Sequence, residues 1–348
     1  MGLSRRARAV GGAAAVVVLI VVAAFVHART AGSPVASPTP TPHPTVTGPT
    51  ATATASPTPA IATRGPAAPV TGAWVGAWVK PKVATDAGRV AAITGFESQI
   101  GRPLNVVNVY HSTEAFPTTA DRQFLAQGKT LMISWAGDDT LAINSGQDDA
   151  LIRARAEGVK ALGVPILLRW RWEMNRPNLA ASVGSPAAYV AAWKHVRAIF
   201  TAVGATNAGW VWCPLATNFD ATNAAAFYPG DDQVDWLCAD VYPGPAYDSF
   251  SAVAQQFVTW AGGHHRPIII GEYGAQNLGN ATQRAQWLTA ATEYAKQQPQ
   301  IKAMVYFEAR VEQGTKSRDF TLVGTGTPLA AFRAMAHDPY FNQPSTSR

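Results

Sequence analysis

The strongest constraint on this chain is a repeated pattern of short apolar runs that do not alternate with polar residues, each followed by a helical or loop stretch. The runs cover residues 74–78, 104–109, 130–135, 165–170, 210–213, 234–241, 267–270 and 303–307. Strands of this kind are buried on both faces, which is the habit of parallel sheets covered by helices. Helical stretches lie at 86–99, 119–126, 148–162, 185–203, 250–260 and 282–297, with a last one at 329–337. In the third of these, Ile152, Ala156, Val159 and Leu162 make one apolar stripe, and Ser185-Pro186 is a good helix start for the fourth. Eight such units predict an α/β chain folded as a (β/α)8 TIM barrel, with functional groups at the carboxyl ends of its strands.

The barrel is expected as a single domain over residues 71–348. Ahead of it, Arg5, Arg6 and Arg8 precede an uncharged stretch over 9–26 and the small-x-small pattern Val26-His27-Ala28. Residues 1–28 therefore read either as a cleaved signal peptide or as an uncleaved membrane anchor. Both readings make the rest secreted or extracellular, the second with membrane tethering through the N-terminal segment. Residues 29–70 are mostly Pro, Thr, Ser, Ala and Gly. Such a segment buries too little surface to offset its ordering entropy and reads as a disordered linker. Removing Arg5, Arg6, Arg8, Arg29 and Arg64 takes the net charge from +6 to +1. With no Lys and Arg cluster left, nucleic acid is excluded as a partner. Cys213 and Cys238, the only two cysteines, either form one disulfide or serve as buried apolar fillers.

Two of the apolar runs end on a glutamate. Val164-Pro165-Ile166-Leu167-Leu168 leads into Arg169-Trp170-Arg171-Trp172-Glu173-Met174-Asn175, and Pro267-Ile268-Ile269-Ile270 leads into Gly271-Glu272-Tyr273-Gly274. Counted along the barrel, Glu173 follows strand four and Glu272 follows strand seven. The pair suggests one carboxylic acid kept protonated and one carboxylate kept ionised, on either side of a bond to be cleaved. A cation beside Glu173 would lower its pKa and oppose that role. Arg171 is thus expected to point elsewhere, and Arg169 to pair with Glu272 or another acid. Of the 11 tryptophans, Trp74, Trp78, Trp135, Trp172 and Trp212 fall in or at the end of strands; they either stack on sugar faces or fill the core. No ligand set with zinc spacing, phosphate loop, dinucleotide fingerprint or Ser-His-Asp motif stands out, so neither a metal nor a cofactor is expected.

These motifs resemble glycoside hydrolase family 26, a clan A family of β-mannanases with some mixed-linkage glucanases and xylanases. Arg169 and Glu173-Met174-Asn175 match its acid/base block. Tyr228-Pro229-Gly230-Asp231, Val234-Asp235-Trp236 and Asp240-Val241-Tyr242 match its block around strand six, and Gly271-Glu272-Tyr273-Gly274 matches its nucleophile strand. The resemblance spans about residues 73–338. It departs where the family's histidine before the acid/base is Trp172, where Arg176-Pro177-Asn178-Leu179 follows the acid/base block, and in a strand eight without the usual tryptophan. An indole donates a hydrogen bond and accepts none, so the hydroxyl pattern read at Trp172 would differ.

The resemblance implies Glu173 as acid/base, Glu272 as nucleophile, and a hydrogen bond from Tyr242 to Glu272. Arg169, Trp172, Asn175, Asp240, Tyr242, Trp78 and Trp212 are the expected substrate-binding residues. Three have a plainer alternative: Asn175 as a loop cap, Asp240 as a brace, Tyr242 as a core residue. The implied activity is retaining, endo-acting hydrolysis by double displacement of a plant or microbial β-linked polysaccharide or oligosaccharide, either β-mannan or a mixed-linkage or other β-glucan, by a monomer. The alternative is a non-catalytic carbohydrate-binding cell-wall protein on the same barrel. A barrel esterase would need a nucleophile elbow that the chain lacks.

Overall fold

The computed structural model describes residues 65–344, apart from residues 113, 114, 218, 221, 222, 314 and 315. The expected export segment at 1–28 and linker residues 29–64 lie outside the described residues. Within them, no helix is long and apolar enough to cross a membrane.

Eight parallel strands close into a barrel: β1 (Trp74–Val79), β2 (Val106–His111), β3 (Thr130–Trp135), β4 (Ile166–Trp170), β5 (Ala208–Trp212), β6 (Trp236–Val241), β7 (Ile268–Tyr273) and β8 (Ile301–Glu308). The ring shuts where β1 pairs with β8, from Trp74 opposite Ala303 to Val79 opposite Glu308. Around it lie α1 (Asp86–Ile100), α2 (Thr119–Ala126), α3 (Thr140–Asn144), α4 (Asp149–Lys160), α5 (Ala180–Val183), α6 (Pro186–Val203), α7 (Phe250–Ala261), α8 (Ala281–Gln297) and α9 (Thr327–His337). Their starts follow local chemistry. Ser185 Oγ accepts from Ala188 N at 3.2 Å with Pro186 in the first turn of α6, and Ser249 and Asn280 cap α7 and α8 in the same way. The short helices α3 and α5 fall in the loops after β3 and β4, where no apolar stripe announces them. A two-stranded antiparallel hairpin, β9 (Arg310–Gln313) and β10 (Lys316–Asp319), follows β8 and was also absent from the sequence pattern.

Because side chains alternate along a strand, each strand feeds two cores. Outward residues meet the helices. Inward ones fill the barrel, with Trp74, Val106, Met132, Leu167, Val211, Trp236, Ile269, Ala303 and Val305 packed together below the mouth. Cys213 and Cys238 also point inward from adjacent strands and are joined by a disulfide, which decides between the two readings left open above.

At the floor, Trp74 and Trp236 stack with ring centroids 5.8 Å apart. The indole N–H of Trp74 donates to Pro344 O at 3.0 Å, and that of Trp236 donates to Pro66 O at 3.3 Å. This corrects the linker boundary: residues 65–70 have a linker's composition yet pack on the barrel, with Pro66 and Pro69 buried and Lys302 Nζ donating to Val70 O at 3.1 Å. Composition measures what a segment can bury by itself, and here the partner surface is supplied by tryptophans far along the chain.

Candidate active site

Glu173 and Glu272 meet at the carboxyl ends of the strands. One carboxylate oxygen from each, with one from Asp240, lies within 4.8 Å of the others. All three groups are buried, Glu173 at 1% and Glu272 at 2% exposure.

The way each glutamate is aimed is a local accident of the strand. Along β7, Ile269 points into the barrel and Ile270 out of it, so strict alternation would turn Glu272 outward. A register shift in the β6–β7 pairing, after which Asp240 lies opposite Glu272, breaks the alternation and brings Glu272 inward. The preceding residue must be glycine: a Cβ on Gly271 would collide with Cys238 Sγ and lie 2.8 Å from Arg169 Nη1 and 3.0 Å from Asp240 Oδ1. Beyond the end of β4, Arg171 (φ 46°) and Glu173 (φ 54°) both take the left-handed conformation that non-glycine residues avoid. The turn is pinned from both sides, Arg171 N donating to Trp135 O at 3.0 Å and Glu173 N to Cys213 O at 2.7 Å.

Three donors converge on Glu272. Tyr110 Oη (2.5 Å) and Arg169 Nη2 (2.8 Å) donate to Oε1, and Tyr242 Oη donates to Oε2 at 2.7 Å. Every donor face of Arg169 is used: Nη1 reaches Asp240 Oδ1 at 2.9 Å and Oδ2 at 3.2 Å, and Nε reaches Ser134 Oγ at 2.8 Å. Burial works against its charge, but Asp240, Tyr110 and Glu272 outweigh it and its pKa is raised. Burial also pushes both tyrosine hydroxyls well above their usual value, helped by the charge of Glu272, so both remain donors.

Glu173 is placed differently. Its Oε2 accepts from Arg176 Nη1 at 2.5 Å, while Oε1 is buried with no hydrogen-bond partner. Burial raises its pKa and the charge of Glu272 adds to this, against the pull of Arg176 and Arg169. The pKa of Asp240 is likewise raised, by burial and then by Glu272, despite its contact with Arg169. The fully buried charges are three carboxylates against two guanidiniums, Arg169 and Arg176. One proton balances them, and Glu173, whose free oxygen can carry it, is where it is chemically useful. The carboxylate spacing would also suit a cation, but Arg169 bridges Asp240 and Glu272 and already supplies the positive charge.

Comparison with known proteins settles the family. The model of glycosyl hydrolase family 26 matches residues 113–303. This chain belongs to that family. It is also 30% identical over 288 residues to endoglucanase H of Acetivibrio thermocellus, a match that takes in 76% of this chain and 30% of that protein. The chain thus spans under a third of that relative's length. Among solved structures, a family 26 β-mannanase from Bacteroides ovatus aligns with a TM-score of 0.59 at 15% identity, covering 78% of this chain and 90% of the other. The catalytic domain of a family 26 endo-β-1,4-mannanase from Bacillus sp. JAMB-750 aligns with the same TM-score at 16% identity, covering 77% and 86%. At such identities the structures show a shared fold.

Not every expected binding residue of this family 26 barrel reaches the site. Trp78 and Trp172 do: both are half-buried at the mouth and flank Tyr110, at ring distances of 4.9 and 5.2 Å, and Trp172 also covers the Arg169 guanidinium at 5.0 Å. Trp212 does not. Since Val211 points inward, its neighbour points out, and Trp212 is wholly buried against Tyr228 and Trp260 with Nε1 donating to Phe227 O at 3.1 Å. Trp135 is likewise in the outer core and Trp74 is at the floor, so two of the five strand tryptophans face the cleft. Asp240 is completely buried and braces Arg169. Asn175 spans to the loop after β5, with Nδ2 donating to Leu215 O at 3.0 Å and Oδ1 accepting from Leu215 N at 2.9 Å. Arg171 turns away to Ala136 O and Ser182 O.

Sequence reasoning missed Tyr110 and Arg176. Tyr110 carried a usable signal, a polar aromatic ending an apolar run, as Glu272 does. Arg176 carried little, being one arginine in a Pro-containing loop.

Proposed function

We propose that this family 26 barrel hydrolyses an internal β-glycosidic bond of a polysaccharide with retention of configuration. The observation that carries this reading is the separation of Glu173 and Glu272, since about 5 Å suits a nucleophile acting directly and leaves no room for an intervening water. Glu272 attacks the anomeric carbon as the bond to the departing oxygen breaks, and Glu173 gives its proton to that oxygen. Water then loses a proton to Glu173 and attacks the same carbon, the ester to Glu272 breaks, and both carboxyl groups return to their starting states. Tyr110, Tyr242 and Arg169 hold Glu272 throughout. The residue assignments in this scheme are supported by the hydrogen bonds to each carboxylate.

The substrate class is β-mannan, or a mixed-linkage or other β-glucan. Likenesses to an endoglucanase and to β-mannanases support it. So does the mouth, where Trp78 and Trp172 offer stacking faces and exposed Val83, Leu141, Leu278 and Val323 lie on the loops after β1, β3, β7 and β8. A sugar reaches the carboxylates by displacing the half-buried side chains above them. We further propose that a monomeric enzyme works outside the cytoplasm as one domain behind an export or anchor segment and a linker. The arginine-led apolar stretch and a disulfide suited to an oxidising compartment support this.

One observation favours the non-catalytic alternative, namely that Glu173 is held in an ion pair by Arg176. Reducing ends released from β-mannan, mixed-linkage glucan, laminarin and xylan decide between the two. At least one polymer is expected to be cut, with the first-formed anomer keeping the configuration of the substrate. Glu272→Gln is expected to lower the rate by at least about a thousandfold, and Glu173→Gln mainly on substrates with poor leaving groups. The wild-type rate should fall as pH rises through the elevated pKa of Glu173. Binding of these polymers with no new ends would establish the carbohydrate-binding reading instead.

A further inference from the structure

Arg176 and Arg318 share one acidic partner between them among the described residues, Glu173. Arg176 is 4% exposed, has Glu173 as its only acidic partner among the described residues, and leaves Nη2 buried without a partner. Arg318 is half-buried on β10 and makes no ion pair among the described residues. It is paired across the hairpin with Val311. Directly paired strand residues share a face, and Val311 packs on the mouth cluster of Tyr110, Tyr242 and Phe307, so Arg318 also projects over the mouth. Burial presses its pKa down and the field of Arg176 adds to this, against the Tyr242 hydroxyl, in keeping with that placement. Two guanidiniums in each other's field, of which only Arg176 has an acidic partner among the described residues, suit a carboxylate.

We infer that Arg176 and Arg318 form a carboxylate-binding subsite for a uronic acid in the sugar unit that departs with the leaving group. This rests on the hydrolase reading above, because Glu173 protonates that leaving oxygen and Arg176 touches Glu173. A uronate bound there becomes a second partner for Arg176 and takes part of its charge away from Glu173. The other groups that face Glu173 are Arg169, Glu272, Asp240 and Tyr242, and none of them is altered by the exchange. Losing a cation favours the protonated acid. An acidic glycan would therefore weaken the hold of Arg176 on the acid/base and favour its protonated form, and a neutral one would leave that hold in place. The enzyme would prefer an anionic β-glycan to the neutral polymers of the usual panel.

The test uses β-mannan and mixed-linkage glucan partly oxidised at their primary hydroxyls to uronates, digested beside the unoxidised parents. Every cut turns the leaving sugar into a new non-reducing end, so end analysis reads what occupied the subsite. Uronate is expected at new ends about tenfold above its frequency in the polymer, the effect of one charge-assisted contact pair, with the enrichment falling towards one in Arg318→Met and Arg176→Met and partly kept in Arg176→Lys. The acid/base limb of the pH profile should lie at higher pH for the oxidised polymer. Uronate at or below its polymer frequency, or enrichment that survives Arg318→Met, overturns the subsite while leaving the hydrolase reading intact. Should no polymer be cut, the hydrolase reading fails, and calorimetric titration of Glu272→Gln with oxidised and parent oligosaccharides still tests the subsite. About tenfold tighter binding of the oxidised form, lost in Arg318→Met, upholds it; equal affinities end it.

Discussion

The floor and the mouth of this barrel are built from the same strands, two to four residues apart, and are held together by opposite means. At the floor, Trp74 and Trp236 stack over an interior of aliphatic side chains, and their only polar atoms reach backbone carbonyls of Pro344 and Pro66. At the mouth, the inward positions of the same strands carry Tyr110, Arg169, Asp240 and Glu272, each hydrogen-bonded to another. Apolar packing tolerates the loss of one contact in proportion to the area lost, whereas a buried charge network fails as a unit when a partner is removed. The fold can therefore keep these buried charges only where each has a counter-charge, and it draws its stability from the opposite end.

Arg169→Met is expected to have the largest effect. It strips the counter-charge from Asp240 and Glu272 at once and is expected to cost about 3–5 kcal/mol near neutral pH. The sign of its pH dependence follows from the Asp240 pKa, already raised in the folded protein. A carboxyl with a folded pKa above its unfolded one makes the folded state bind more protons, so stability is greatest below the unfolded pKa and is lost as pH rises through the folded one. Removing Arg169 raises the folded value further and steepens that loss, so urea melts across pH 4 to 8 should diverge from wild type as pH increases. A constant gap would mean that the loss is packing alone.

Trp236→Ala is expected to cost a similar or slightly smaller amount, about 3–4 kcal/mol, but with a gap that does not change with pH. Its folded fraction should keep a normal rate, because neither Glu173 nor Glu272 touches the floor. A catalytic defect larger than the unfolded fraction explains would show that floor and mouth are mechanically coupled.

The smallest effect is expected at the end of a barrel strand. Glu308, at the end of β8, accepts from Leu322 N and Val323 N, and burial pushes its pKa up to about 7. By the same sign argument it withdraws up to roughly 3 kcal/mol as pH rises from its unfolded value through that pKa. Glu308→Gln should remove this slope in the melts and leave the slope that belongs to the mouth.

How far the site was legible depends on how local each determinant is. Glu173 and Glu272 stand out because each breaks an apolar run, a property of a few neighbouring residues. Arg169 could be assigned to Glu272 or another acid by the argument that a cation must not sit on Glu173, and the same argument removed Arg171. It gave no warning of Arg176, which reaches Glu173 only because the backbone turns left-handed on both sides of Trp172. Trp212 was misplaced because a run of buried residues does not reveal which parity faces the interior.

By itself, the sequence determined that eight doubly buried strands alternate with helices and that two of them deliver a glutamate to one end of the ring, since both facts are written in periodicity and polarity over short stretches. The tertiary structure alone decided the remainder. The register shift beside Asp240 turned Glu272 inward, Cys213 met Cys238 across two strands, residues 65–70 found a surface at the floor, and Arg176 reached Glu173. Each of these is a contact between segments far apart in the chain, fixed only once the closed ring sets which strands are neighbours and in what register.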